Sequence, residues 1–119
     1  MNKIILLILT GFSFWLVPLA AQDAAPANVR EISVTNNGFL FIPNEISVKK
    51  GDTVRITYTN AGGFHDLLID EFNAGTKQIP KGKSETFEFK ADRAGEFEFY
   101  CSVGNHRKMG MFGKLIISE

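Results

Sequence analysis

The feature that most limits the fold of this chain is a regular alternation of apolar and polar residues from Val29 onward. Successive side chains of a β-strand point to opposite faces, so this alternation is typical of strands with one buried face. The alternating apolar positions are Ile32 and Val34; Ile46 and Val48; Val54, Ile56 and Tyr58; Phe87 and Phe89; Phe97, Phe99 and Cys101; and Leu115 and Ile117. Turn-forming residues separate these segments roughly every ten residues, which predicts an all-β antiparallel sandwich or barrel.

The N-terminal segment has a different character. A basic start at Lys3 precedes a mostly apolar run, and small residues follow at Ala20 and Ala21. This order is typical of a secretory signal peptide, and the run is shorter than the roughly 20 residues that span a membrane. An uncleaved membrane anchor is the alternative interpretation. The predicted organisation is a removable signal peptide at 1–21, a disordered leader at 22–28 and a single domain at 29–119.

The overall charge is close to zero, with 13 Lys and Arg against 13 Asp and Glu. Removal of the signal peptide removes only Lys3, which leaves a net charge of about −1 and no electrostatic case for nucleic acid binding. The single cysteine, Cys101, has no partner for an internal disulfide. In an exported protein such a cysteine is buried and inert, paired with another chain, or used for reactivity or metal binding.

Residues that bind soft metals are concentrated in the segment Tyr100–Met111. They are Cys101, His106, Met109 and Met111 in this segment, and His65 upstream, after a glycine pair. Taken singly, each has a plainer interpretation, because a lone buried cysteine is usually structural and methionines fill cores. Two imidazoles and a thiolate in one plane, with a long axial methionine, form the blue-copper electron-transfer arrangement. The combined set therefore predicts a copper site.

At these residues the chain resembles the type 1 blue copper proteins of the plastocyanin/azurin (cupredoxin) family. The matching segments are Gly51-Asp52-Thr53-Val54, His65-Asp66, Gly95-Glu96-Phe97, Tyr100-Cys101-Ser102 and Gly110-Met111-Phe112-Gly113-Lys114-Leu115. The resemblance implies an eight-stranded Greek-key β-sandwich that binds one copper ion per chain. It also implies that His65, Cys101 and His106 are equatorial ligands and that Met111 is the weak axial ligand.

Two departures from the family pattern concern the ligand segment. Four residues separate Cys101 from His106, as in azurins, whereas plastocyanins have two. Asp66 follows the first histidine, where asparagine is usual in those two groups. Met109 competes with Met111 for the axial position, and the flanking residues favour Met111. Met109 is then expected to be an apolar surface residue near the site. We also expect the backbone amides of Asp66 and Val103 to donate hydrogen bonds to the Cys101 sulfur.

The resemblance implies a function in electron transfer. We predict a soluble periplasmic one-electron carrier, a monomer that exchanges electrons with redox partner proteins and does not insert stably into a membrane after signal cleavage. His106 is expected near the surface as the electron gateway, surrounded by apolar residues such as Met109 and Phe64. Arg107 and Lys108 are expected to favour an acidic partner. The alternative is copper storage or delivery in the periplasm. An enzyme is not expected, because catalytic copper sites need further histidines and the chain has only two.

Overall fold

The computed structural model describes residues 28–119, together with the isolated positions 11, 13, 15 and 16. Apart from those four positions and Asn28, the predicted signal peptide (1–21) and leader (22–28) lie outside the described residues, so both stay predictions. In the part of the chain that is described, no helix has the length and apolar character needed to cross a membrane.

The described residues form eleven strands and one short 3-10 helix, Asp70–Phe72. The strands are β1 Val29–Asn37, β2 Leu40–Ile42, β3 Glu45–Lys49, β4 Thr53–Thr59, β5 Phe64–His65, β6 Leu68–Ile69, β7 Ala74–Gly75, β8 Ile79–Pro80, β9 Ser84–Lys90, β10 Gly95–Tyr100 and β11 Phe112–Ser118. The all-β prediction is confirmed. The resemblance implied eight strands; seven of the eleven are three residues or longer, and β5 to β8 are two-residue pairings, too short to produce a periodic pattern in the sequence.

Two sheets make up the sandwich. One has the strand order β2-β1-β4-β9 and the other the order β3-β11-β10-β6-β7, while β5 and β8 form a separate two-stranded ribbon. The alternating residues point between the sheets: Val54, Ile56 and Tyr58 on β4 are fully buried, and Phe99 and Leu115 are fully buried on the opposite sheet. This apolar layer excludes water and fixes the register of each strand, since a one-residue slip would expose its apolar face.

The expectation of a purely antiparallel arrangement is wrong in two places. β1 pairs with β4 in parallel, and β3 pairs with β11 in parallel. Between β1 and β4 the chain crosses to the other sheet to form β3, so β4 returns beside β1 in the same direction. Alternation determines which face of a strand is buried, but it carries no information on the direction of the neighbouring strand. The resulting sandwich is the cupredoxin-like one that the resemblance implied.

Candidate metal centre

Cys101 reaches the interior at the end of β10. Phe99 and Cys101 are both fully buried on the inward face of that strand, as the alternation predicted. The N–H of Cys101 donates to the carbonyl of Met111 at 3.0 Å, which joins the two ends of the intervening loop. The thiol therefore enters the site from the core side, with its backbone held in place.

The loop between Cys101 and Met111 folds into successive turns. The N–H of His106 donates to the carbonyl of Val103 at 3.0 Å, and the N–H of Met111 donates to the carbonyl of His106 at 3.0 Å. Gly110 has a φ of 101°, a left-handed conformation that residues with a side chain rarely adopt. These turns return His106 toward Cys101, so that four intervening residues are enough to bring both side chains to one point.

His65 arrives from the two-stranded ribbon, where β5 pairs with β8. Its side chain is buried, and its ring packs against the backbone of Gly63. A Cβ atom at Gly63 would lie 2.7 Å from Nε2 of His65, and the φ of Gly63 is 78°. Only glycine satisfies both conditions, which explains the second glycine of the pair that precedes this histidine.

The three potential ligand atoms form a nearly regular triangle. Nδ1 of His65 lies 3.1 Å from Nδ1 of His106, and the Cys101 sulfur lies 3.8 Å and 3.6 Å from these two nitrogens. The point equidistant from all three atoms is about 2.0 Å from each, which follows from those three sides. First-row metal ions bind imidazole and thiolate at about 2.0–2.3 Å. The triangle therefore fits one metal ion, and its soft thiolate and imidazole donors are those that copper prefers.

Burial shifts the ionisation of two of these groups in opposite directions. Burial, aided by the nearby His106, lowers the pKa of His65. Burial raises the pKa of the Cys101 thiol, while hydrogen bonds from the backbone amides of Asp66 and Val103 oppose that rise. These are the two amides that are expected to donate to the sulfur. A metal ion binds neutral imidazole and thiolate, so binding at this site releases the thiol proton.

Asp66 connects the two segments that carry the potential ligands. It directly follows His65 and is only 3% exposed. One carboxylate oxygen accepts the N–H of Ser102 at 2.6 Å, and the other accepts the Ser102 hydroxyl. Because a carboxylate can accept both hydrogen bonds, the departure from asparagine leaves this connection intact.

The sequence analysis missed a buried polar network behind His65. The amide of Asn60 donates to the carbonyls of Gly63 and Ile79, both at 2.8 Å, and its oxygen accepts the N–H of Gly62 at 3.0 Å. Asn36 accepts the N–H of Ala61 at 3.0 Å, so the same loop is held from β1. A second group completes this network: the Tyr58 hydroxyl donates to Asn36 at 2.9 Å. In the sequence, an asparagine before a glycine pair indicates only a turn.

The two methionines occupy different environments. Met111 is fully buried, whereas Met109 is 51% exposed. The position of Met109 agrees with the expectation of a surface residue near the site. The role of Met111 as the axial ligand stays a prediction.

His106 lies at the rim of the sandwich and is only partly buried. The ring of Phe39 packs against it with 4.9 Å between ring centroids. Met109 is close to His106 in the sequence, and Phe64 precedes His65 on β5. Both side chains are exposed, which gives this end of the molecule an apolar surface. Sequence reasoning named Phe64 and Met109 but missed Phe39, because that residue lies far from the ligand segment along the chain.

Comparison with known proteins gives consistent matches. A family model described as a cupredoxin-like domain matches residues 6–117. The chain is 32% identical over 118 residues to plastocyanin B, chloroplastic, of Populus nigra. This alignment covers 86% of this chain and 68% of that protein. It is 28% identical over 115 residues to the copper-resistant cuproprotein CopI of Rubrivivax gelatinosus, which covers 80% of this chain and 70% of that protein. The solved structure of auracyanin A from Chloroflexus aurantiacus shares the fold, with a TM-score of 0.69 and 19% identity over 76% of this chain and 100% of that chain.

These matches agree with the site built from the residues. The family model spans nearly the whole described domain, and the buried triangle of two imidazoles and one thiolate suits a single copper ion. The chain therefore belongs to the cupredoxin family of type 1 blue copper proteins, and copper is its cofactor.

Proposed function

We propose that this protein is a soluble periplasmic one-electron carrier. One copper ion is bound by His65, Cys101 and His106 as equatorial ligands and by Met111 as the weak axial ligand. The observation that carries the proposal is the triangle of donor atoms, with sides of 3.1, 3.6 and 3.8 Å. When bound, copper supplies a one-electron couple between Cu(II) and Cu(I).

The surroundings of the site support a carrier because they restrict rearrangement. The Gly62–Gly63 loop behind His65 is held by Asn60, and the backbone of Cys101 is bonded to Met111. Ligands held in this way keep nearly the same positions in both oxidation states. Electron gain and loss then require little movement of the protein.

Metal addition and paired variants test the ligand assignment. Addition of Cu(II) to the metal-free protein is expected to produce intense visible absorption, and Cys101→Ser is expected to abolish it. Met111→Leu is expected to change the spectrum and the redox potential, whereas Met109→Leu, the matched exposed control, is expected to change neither. A Met111→Leu protein with an unaltered spectrum and potential would reject the axial assignment.

The gateway for electrons is His106, which reaches the apolar surface formed by Phe39, Phe64 and Met109. The two positively charged side chains beside His106 differ in whether they already form an ion pair within the protein. Arg107 is ion-paired with Glu98, and its guanidinium lies 4.1 Å from the centre of the Tyr100 ring. Lys108 is exposed and makes no ion pair within residues 28–119. The attraction to an acidic partner therefore depends mainly on Lys108.

An anionic one-electron oxidant such as hexacyanoferrate(III) tests this surface. Lys108→Glu is expected to slow oxidation of the reduced protein at low salt, and the difference is expected to shrink as salt screens the charges. Lys90→Glu is the control, because Lys90 ends β9 at the edge of the sandwich away from His106. Equal rates for the Lys108→Glu variant and the unmodified protein at low salt would reject a role for this charge.

Copper storage or delivery is the second candidate, favoured by the similarity to the copper-resistant cuproprotein. It predicts ready transfer of copper to a chelator, whereas a carrier retains copper through repeated oxidation and reduction. Burial of His65 and Cys101 favours retention. We do not propose an enzyme, because both histidines of the chain are assigned to this one site. Export and the monomeric state are part of the proposal, and N-terminal sequencing of the periplasmic protein and its hydrodynamic size test them.

A further inference from the structure

We propose that Asp66 is the residue that sets the preference of this metal site for a divalent over a monovalent ion, because its buried carboxylate adds one fixed negative charge beside the ligands. The inference rests on the proposed ligand set. It concerns a property that the ligands alone do not determine.

The position of Asp66 places its charge beside two of the proposed ligands. Asp66 directly follows His65, and its carboxylate accepts the N–H of Ser102, the residue after Cys101. The side chain is 3% exposed, and within residues 28–119 no lysine, arginine or histidine forms an ion pair with it. Water and countercharge therefore screen this carboxylate weakly.

The consequence follows from the total charge of the buried site. With the Cys101 thiolate and the Asp66 carboxylate both present, a divalent ion gives a neutral site and a monovalent ion leaves one uncompensated negative charge. Without the carboxylate, a monovalent ion gives the neutral site instead. Because an uncompensated charge is costly in a buried environment, Asp66 favours the divalent ion.

Asp66→Asn separates the charge from the hydrogen bonds. The asparagine oxygen accepts the N–H of Ser102, and its amide donates to the Ser102 hydroxyl, so the connection between the two segments is retained. Asp70→Asn is the matched control. It removes an equal charge from an exposed carboxylate that accepts the Tyr100 hydroxyl at 2.9 Å.

Binding of Zn²⁺ and Ag⁺ to the metal-free protein gives a readout that requires no electron transfer. Asp66→Asn is expected to lower the ratio of Zn²⁺ affinity to Ag⁺ affinity by about tenfold or more, the size of effect that a close charge has on an ionisation. Asp70→Asn is expected to leave the ratio unchanged. In the copper protein, a tenfold fall in the ratio of Cu(II) affinity to Cu(I) affinity raises the redox potential by about 59 mV.

The possible results separate this inference from the proposed function. An unchanged metal ratio in a folded Asp66→Asn protein, or an equal shift in Asp70→Asn, overturns the inference. The same protein retains its blue absorption if the ligand assignment is right, so the two proposals fail independently. Asp66→Glu keeps the charge but alters the hydrogen bonds, and a tenfold fall in its ratio would also overturn the role of charge. If Asp66→Asn does not fold, the smaller neutral variant Asp66→Ser carries the same expectation.

Discussion

Replacement of Asn60 by alanine tests whether the polar network behind His65 holds the site together. The side chain is fully buried and makes three hydrogen bonds with the backbone. Alanine leaves the carbonyls of Gly63 and Ile79 and the N–H of Gly62 without these partners. The Ile79 carbonyl is the most deeply buried of the three groups.

The expected magnitude follows from the burial of each group. A buried polar group without a partner costs about 1–3 kcal/mol, and a partly exposed hydrogen bond contributes about 0.5–1.5 kcal/mol net. One bond of the first kind and two of the second give a loss of about 4 kcal/mol in the free energy of unfolding. This is a large share of the about 5–15 kcal/mol that stabilises a typical domain.

Urea unfolding of the metal-free protein, followed by circular dichroism, measures this loss. Asn37→Ala is the control, since it makes the same chemical change at an exposed position on β1 and is expected to alter stability by less than about 0.5 kcal/mol. Saturating Zn²⁺ is also expected to stabilise Asn60→Ala less than the unmodified protein, because His65 loses its support. A loss below about 1 kcal/mol, with undiminished stabilisation by Zn²⁺, would refute the reasoning.

Three further predictions concern packing, pH and the thiol. Gly113→Ala places a Cβ atom 2.1 Å from Cζ of Phe99 and is expected to lower stability by about 1–3 kcal/mol, measured by thermal unfolding; an unchanged melting temperature would contradict this. In the metal-free protein the pKa of His65 is lowered from 6.5, so below that pH the unfolded chain binds the extra proton and stability falls as pH falls. The pKa of Cys101 is raised from 9.0, so above that pH the unfolded chain has released a proton that the folded chain keeps, and stability falls as pH rises. Together the two effects predict that the metal-free protein is most stable between pH 6.5 and 9.0. Urea unfolding across this range measures the stability at each pH, and a flat profile would argue against the prediction. Val103→Pro removes an amide that is expected to donate to the Cys101 sulfur, so it is expected to raise the thiol pKa further. Thiolate absorbance of the metal-free protein measures this pKa, and an unchanged value would exclude that hydrogen bond.

The sequence alone determined the strands and the residue types of the site. Alternation identified the buried faces of β4, β9, β10 and β11, because a period of two has a direct physical meaning in a strand. The inward position of Cys101 followed from the same alternation. The rarity of cysteine and histidine in the chain limited the possible ligands to a very small set, whose spacing matched that of a known family.

Only the tertiary structure decided how these parts meet. The parallel pairing of β1 with β4, the ribbon that carries His65 and the approach of Phe39 to His106 all join residues that are distant along the chain. The same is true of the burial of Asp66. An aspartate beside a histidine in the sequence does not reveal whether its charge faces water or a metal site, because burial depends on packing against the Ser102 segment, which lies 36 positions later.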